Sequence, residues 1–186
     1  MSLFYKLASL MGLVVVISNY LVQFPIEHYN LNEILTYGAF SYPITFLITD
    51  LANRAYGTIV AKKIVYIGFF IGVVLTLLVS TNFSDIISIR IAIGSGTAFF
   101  VAQNLDVKIF DILRNKSWYI APLISSFFGS IVDTFLFFSI AFYGTGVPWV
   151  TLGLGDLAVK FFIALMMLIP FKFLLVSIRD VSEAKR

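Results

Sequence analysis

Three aspartates stand inside runs of apolar residues. Asp50 lies in SYPITFLITDLANRAYG, Asp106 in FFVAQNLDVKIF and Asp133 in SSFFGSIVDTFLFFSIAF. Each keeps polar company at helical spacing. Asp50, Asn53 and Arg54 share a face at steps of three and four, with Phe46 one turn earlier. Gln103 and Asp106 are about a turn apart, and Phe99 and Phe110 extend that face both ways. Ser126, Gly129, Ser130, Asp133 and Phe137 form a third stripe. Carboxylates, amides and hydroxyls beside aromatic rings suit a flat, hydrogen-bonding heterocycle. In lipid such groups are costly and by default mark a functional site.

Each aspartate also has a plainer explanation. Arg54 fits a positive residue at the cytoplasmic end of a span, with Asp50 as its partner at i, i+4. Asp106 fits a membrane edge, paired with a cytoplasmic lysine. Asp133 has no basic residue within a turn of its own helix, so it must face another helix, water or a ligand. Asn53 or Gln103 would serve as its partner. Asp156 and Lys160, also at i, i+4, read as a local ion pair near the external end of the last span. Pro43 adds a helix break just before Asp50, freeing backbone groups toward a cavity.

Enzyme chemistry finds little support. There is no HExxH, GxSxG or Walker loop, and His28 has no second histidine to assist any serine. The absence of cysteine excludes disulfides, thiolate nucleophiles and sulfur-ligated metals. No glycine-aspartate motif of the intramembrane aspartyl type is expected, and Asp50, Asp106 and Asp133 each sit in an amide- or serine-rich setting. The expectation is a recognition protein with no catalytic residue, cofactor or metal.

The elements that must position these residues are membrane helices. The 186 residues are 60% hydrophobic and 12% charged, with a mean hydropathy of +0.97. Soluble domains carry about 25% charged residues. A span needs about 20 apolar residues. Six stretches qualify: Phe4 to Phe24, Glu33 to Tyr56, Lys63 to Ser80, Ser88 to Leu113, Trp118 to Tyr143 and Leu152 to Ser177. The fold expected is an all-α, six-helix membrane domain made of the whole chain. The first span has too long an apolar run for a signal peptide, and no cleavage site follows it. Basic residues alternate between connections. Arg54, Lys62 and Lys63 mark one turn, Lys108, Arg114 and Lys116 another, and Lys172, Arg179, Lys185 and Arg186 the C-terminal end. The intervening loops carry none, so both termini are expected inside. The net charge of +3 calls for no nucleic-acid partner. Gly68 and Gly72 form a GxxxG that can pack within one chain or between two copies, leaving a homo-oligomer open.

The second-span segment YPITFLITDLANRAYG resembles the signature of the queuosine-precursor transporter family, also called the vitamin uptake transporter family. Q-x-x-D at Gln103 to Asp106 and the serine-rich approach to Asp133-Thr134 are similar to that family's fourth and fifth spans. The likeness covers roughly Gly38 to Phe142. One departure is Ser130, three residues before Asp133, where the family often has glutamine. The resemblance implies a bacterial inner-membrane importer of 7-deazaguanine bases, 7-cyano-7-deazaguanine and its aminomethyl relative. It also implies a six-helix fold similar to the substrate-binding subunits of energy-coupling-factor transporters. On that basis Asp133 or Asp106 is expected to read the guanine-like edge, with Gln103 and Asn53 completing it. Arg54 and Asp50 are expected to form a gate or coupling pair. An ATP-driven binding subunit and a membrane assembly subunit are the alternatives. The former would need a small-residue docking face on the first helix, where only Ala8 and Gly12 have that spacing.

Overall fold

The computed structural model describes residues 3–26, 35–176 and 178. The readings made on Glu33, His28, Ser177, Arg179, Lys185 and Arg186 lie outside the described residues. Among those described, the chain is helical throughout: α1 (Leu3–Leu21), α2 (Gly38–Ser41), α3 (Ile44–Tyr56), α4 (Thr58–Leu75), α5 (Ile86–Leu113), α6 (Ile120–Phe142) and α7 (Trp149–Leu175). A π-helical turn, Thr76–Ser80, continues α4. Five of these helices are long and apolar enough to cross a membrane: α1, α4 with its extension, α5, α6 and α7.

The interruption expected at Pro43 divides the second span into α2 and α3 at Tyr42 and Pro43. Pro43 has no backbone N–H to offer the preceding turn. The joint is held instead by tight turns, Thr45 N–H to the Tyr42 carbonyl at 3.0 Å and Phe46 N–H to the Pro43 carbonyl at 3.2 Å. The 13 residues of α3 reach about 20 Å, short of the ~30 Å hydrocarbon core. A polar, half-length helix therefore stands inside the bundle, which explains why nine of its residues are buried, Asp50, Asn53 and Arg54 among them.

The third span starts earlier than its charge suggests. Gly57, at φ 80°, makes the whole turn between α3 and α4, and Thr58 is already helical. Lys62 and Lys63 consequently lie within α4 and not in a loop. The fourth span likewise begins at Ile86, capped by the Asp85 carboxylate, which accepts from the Ile87 N–H at 3.0 Å. Arg90 is inside α5, but its guanidinium donates to the carbonyls of Ile140 and Tyr143 at the end of α6 (2.9 and 2.7 Å).

Packing follows the small residues. A side chain at Gly68 would meet Met11 at 2.2 Å, and one at Gly72 would meet Val15 at 2.4 Å. The GxxxG thus joins α4 to α1 within one chain. Met11, Val15, Ala61, Ile64 and Val65 form the core of that contact. The Gly94, Ala98, Ala102 stripe of α5 lies toward α6, with Gly94 against the Phe137 carbonyl and Ala98 packed with Phe137 and Phe138. Phe70, Leu78, Phe135, Phe162 and Phe173 point outward, as a lipid-facing surface requires.

Candidate functional site

The polar residues of the interior fall into separate clusters stacked along the bundle, and two of them line cavities.

The first cluster is built by α6 and α7. Lys160 lies 2.8 Å from Asp133 Oδ2 and 2.5 Å from Asp156 Oδ2. The Thr134 hydroxyl donates to Asp156 at 2.8 Å, and Lys160 donates to the Thr134 oxygen at 3.0 Å. Lys160 also stands 5.2 Å from the centre of the Tyr42 ring. All of these side chains are buried. Helical geometry explains the assembly. Asp156 and Lys160 share one face of α7, and that face meets α6 at consecutive residues, Asp133 and Thr134. The Tyr42 hydroxyl is the hydrogen-bonding neighbour of Asp133 besides Lys160. Both residues line a narrow cavity, together with Ser18, Asn19, Ser95, Phe137, Asp156 and Lys160. On its far wall Ser95 and Asn19 are bonded to each other, Asn19 donates to Thr76 at 2.8 Å, and Ser18 bonds Ser41 at 2.8 Å. The cavity thus lies between α1, α2, α5, α6 and α7.

The second cavity, also narrow, lies against Asp50 and is lined by Pro43, Phe46, Ser126, Ser130 and the apolar face of α7. Asp50 accepts from Ser125 at 3.2 Å and from Ser126 at 3.3 Å. Ser130, though a turn from Asp133 in sequence, faces this second cavity.

Between the cavities and the charged end of the bundle, α3 is clamped to α5. Gln103 donates to the Thr45 hydroxyl at 2.8 Å and accepts from Thr49 at 2.5 Å. Asn53 donates to the Val107 carbonyl at 3.0 Å. Arg114 donates to both the Asn53 carbonyl (2.8 Å) and its side-chain oxygen (2.6 Å). Arg54 donates to the Arg114 carbonyl at 3.4 Å and lies over the Phe110 ring, 5.4 Å from its centre. Asp106 is fully buried at the level between the two clamps, with Ser125 as its hydrogen-bonding neighbour. Phe99 is buried edge-on against Tyr42, with ring centres 6.4 Å apart.

The eight residues singled out by sequence are therefore not gathered in one cavity. Asp133 lines the first and Asp50 and Ser130 the second. Gln103, Asn53 and Arg54 hold α3 against α5, while Phe99 supports Tyr42. Sequence reasoning missed Lys160, Asp156, Thr134, Tyr42, Asn19 and Ser95. The Asp156 and Lys160 spacing was visible, but its reading as a simple local pair is incomplete. Lys160 reaches a second carboxylate 27 residues away. Asp156 also closes a Gly-Leu-Gly-Asp run, residues 153–156, so a glycine-aspartate pattern does occur in the chain. Its carboxylate and that of Asp133 are bridged by an ammonium. That is an ion triad and not two acids sharing one proton. Among the described residues no group of histidines and acidic residues is arranged to hold a metal.

A family model described as "Putative vitamin uptake transporter" matches residues 36–175. The chain belongs to this family. The vitamin uptake transporter match covers every element that lines the two cavities except α1. Among curated relatives, the probable queuosine precursor transporter of Haemophilus influenzae is 36% identical, over 84% of this chain and 79% of that protein. The queuosine precursor transporter of Escherichia coli is 32% identical over 92% and 87%. The probable queuosine precursor transporter of Bacillus subtilis is 30% identical over 89% and 84%. No solved structure matches the chain. The chain is thus a multi-pass membrane protein of a transporter family, which is not an enzyme class.

Proposed function

We propose that this protein imports queuosine precursors, 7-cyano-7-deazaguanine or 7-aminomethyl-7-deazaguanine, across the bacterial inner membrane as a stand-alone secondary transporter. The base is read in the Asp133 cavity. The observation that carries this reading is Asp133 itself. One oxygen is fixed by Lys160 at 2.8 Å, and the carboxylate borders a cavity beside the Tyr42 hydroxyl. A deazaguanine offers a ring N–H and an amino group on one edge, donors that a carboxylate accepts. The Tyr42 and Phe137 rings and the Asn19 and Ser95 groups suit its planar rings and remaining polar edge. Gln103 and Asn53 act through the wall they hold together, and Arg54 closes the basic end.

A separate ATP-driven partner is less well supported. Ala8 is buried, and a side chain at Gly12 would touch Ile71 at 3.0 Å, so the small face of α1 is spent on α4. Orientation with both termini inside is supported by the basic residues at one end of the bundle, where Arg54 and Arg114 meet. The test is uptake of labelled base into proteoliposomes holding this chain alone, without ATP. Complementation of a strain unable to make the base, scored as queuosine in tRNA, gives the same answer in cells. Uptake is expected from the wild type and loss of uptake from normally inserted D133N. Wild-type rates in D133N overturn the site, and ATP-dependent uptake overturns the mechanism.

A further inference from the structure

The transport reading leaves Asp50 and Asp106 without a task. Their placement is unusual. The Thr49–Gln103 and Asn53–Val107 hydrogen bonds lock α3 to α5 one residue before Asp50 and one residue after Asp106. The two carboxyl groups are thereby held at the same level between two clamps. The Asp106 charge acts on Asp50, and the Ser125 hydroxyl, 3.2 Å from Asp50 Oδ1, is a hydrogen-bonding neighbour of both. Asp50 is 2% exposed and Asp106 0%. Asp50 accepts from two serine hydroxyls, and Ser125 is the hydrogen-bonding neighbour of Asp106.

The surroundings supply little compensating charge. Arg54, one turn on in α3, acts on Asp50, and Arg114 on α5 is taken up with Asn53 and Asp111. Facing α3, α4 presents Ala61, Ile64 and Val65, α1 presents Leu7, Ala8 and Met11, and α6 presents serines. The α7 wall of the neighbouring cavity is Ala164, Met167, Leu168 and Phe171. Two charged carboxylates in such a place would each face a desolvation cost of several kcal/mol, plus mutual repulsion. A bound monovalent cation removes both. The cavity on the Asp50 side provides the entrance, and Asp106 is walled off behind Asp50 and Ser125.

Resting on the transport reading, we propose that Asp50 and Asp106 together carry one proton, and that this proton is the ion that powers accumulation of the base. A proton suits the site better than sodium. The donor set is two carboxylates and two or three serine hydroxyls, with no ring of carbonyl oxygens to replace a hydration shell. The transfer balances simply. A hydronium in the cavity gives its proton to Asp50 and leaves as water. Ser125 passes a hydroxyl proton to Asp106 while taking the one on Asp50. Discharge on the other side reverses the steps and restores both carboxylates. The base site at Asp133, fixed by its own lysine, is left out of this exchange.

The test uses the full chain in proteoliposomes with a trapped pH dye and the membrane potential clamped at zero. Adding external 7-cyano-7-deazaguanine to the wild type is expected to acidify the lumen. A gradient of one pH unit is expected to sustain about tenfold accumulation, the value for one proton per base. In D106N the ratio of gradient-driven accumulation to equilibrium exchange is expected to fall about tenfold, and D106E is expected to restore part of it. Base exchange without lumen acidification in the wild type overturns the proposal. So does accumulation driven by a sodium gradient at constant pH, or a wild-type ratio in D106N. Absence of any base exchange in the wild type instead defeats the transport reading, so the two failures are distinguishable. If D106N does not insert, the wild-type acidification measurement still decides.

Discussion

Asp133 and Asp106 are both buried aspartates in apolar helices, yet their surroundings differ completely. Asp133 has an ammonium at 2.8 Å, a second carboxylate on the same ammonium and a threonine closing the set. Asp106 has a neighbouring acid and a serine, and no ammonium. Burial alone does not tell what a carboxylate does; the counter-charge decides. On the proposed reading, the α6–α7 cluster holds its charge fixed for recognition and the α3–α5 cluster changes its charge as it carries an ion.

The contrast can be broken most directly at Lys160. Replacing it by methionine strands two buried carboxylates, and the expected loss is about 3–5 kcal/mol, read as a lower melting temperature in detergent. The triple variant D133N, D156N and K160M is expected to recover most of that loss, because no unpaired charge remains. Wild-type melting of K160M would show that the triad is not a charge lock. The next effect in size is on binding. D133N is expected to weaken the base by about 10–100-fold in a thermal-shift titration, the value of one hydrogen bond to a charged group. Gln103→Leu comes third. It removes two hydrogen bonds between α3 and α5, while the Thr45 and Thr49 hydroxyls keep their backbone carbonyl partners, and is expected to cost about 1–3 kcal/mol of stability. Its base affinity should be close to that of the wild type, and a large affinity loss would move Gln103 into the binding wall. The smallest effect is expected for D106N, whose melting should change by less than about 1 kcal/mol or rise slightly, since it removes a buried charge that nothing compensates. A loss comparable to K160M would make the two regions alike.

Much of this architecture could be read from the residue order. Six apolar stretches, the alternation of basic turns and the small-residue stripes all report on single helices, and local pattern is enough for them. The break at Tyr42 and Pro43 was signalled by the proline, but its outcome, a half-length α3, depends on what surrounds it. The candidate site was legible one helix at a time. Asp133 stood out because it lacked a base nearby, and the reason lay on α7. Lys160 looked occupied by Asp156, four residues before it, so nothing local pointed to Asp133. Gln103 and Asn53 had the right chemistry for a ligand and are bonded to Thr45, Thr49 and Val107 instead. Facing angles between helices are set by packing, and a one-dimensional pattern does not carry them.

The joint at Tyr42 and Pro43 has one more consequence. Tyr42 borders the compartment of Asp133, and the very next residue borders the compartment of Asp50. A single peptide unit is thus a party wall between two rooms. It cannot swing without redrawing both. Any movement of that unit on filling one room would be matched by an equal bias in the other, because such a bias is reciprocal.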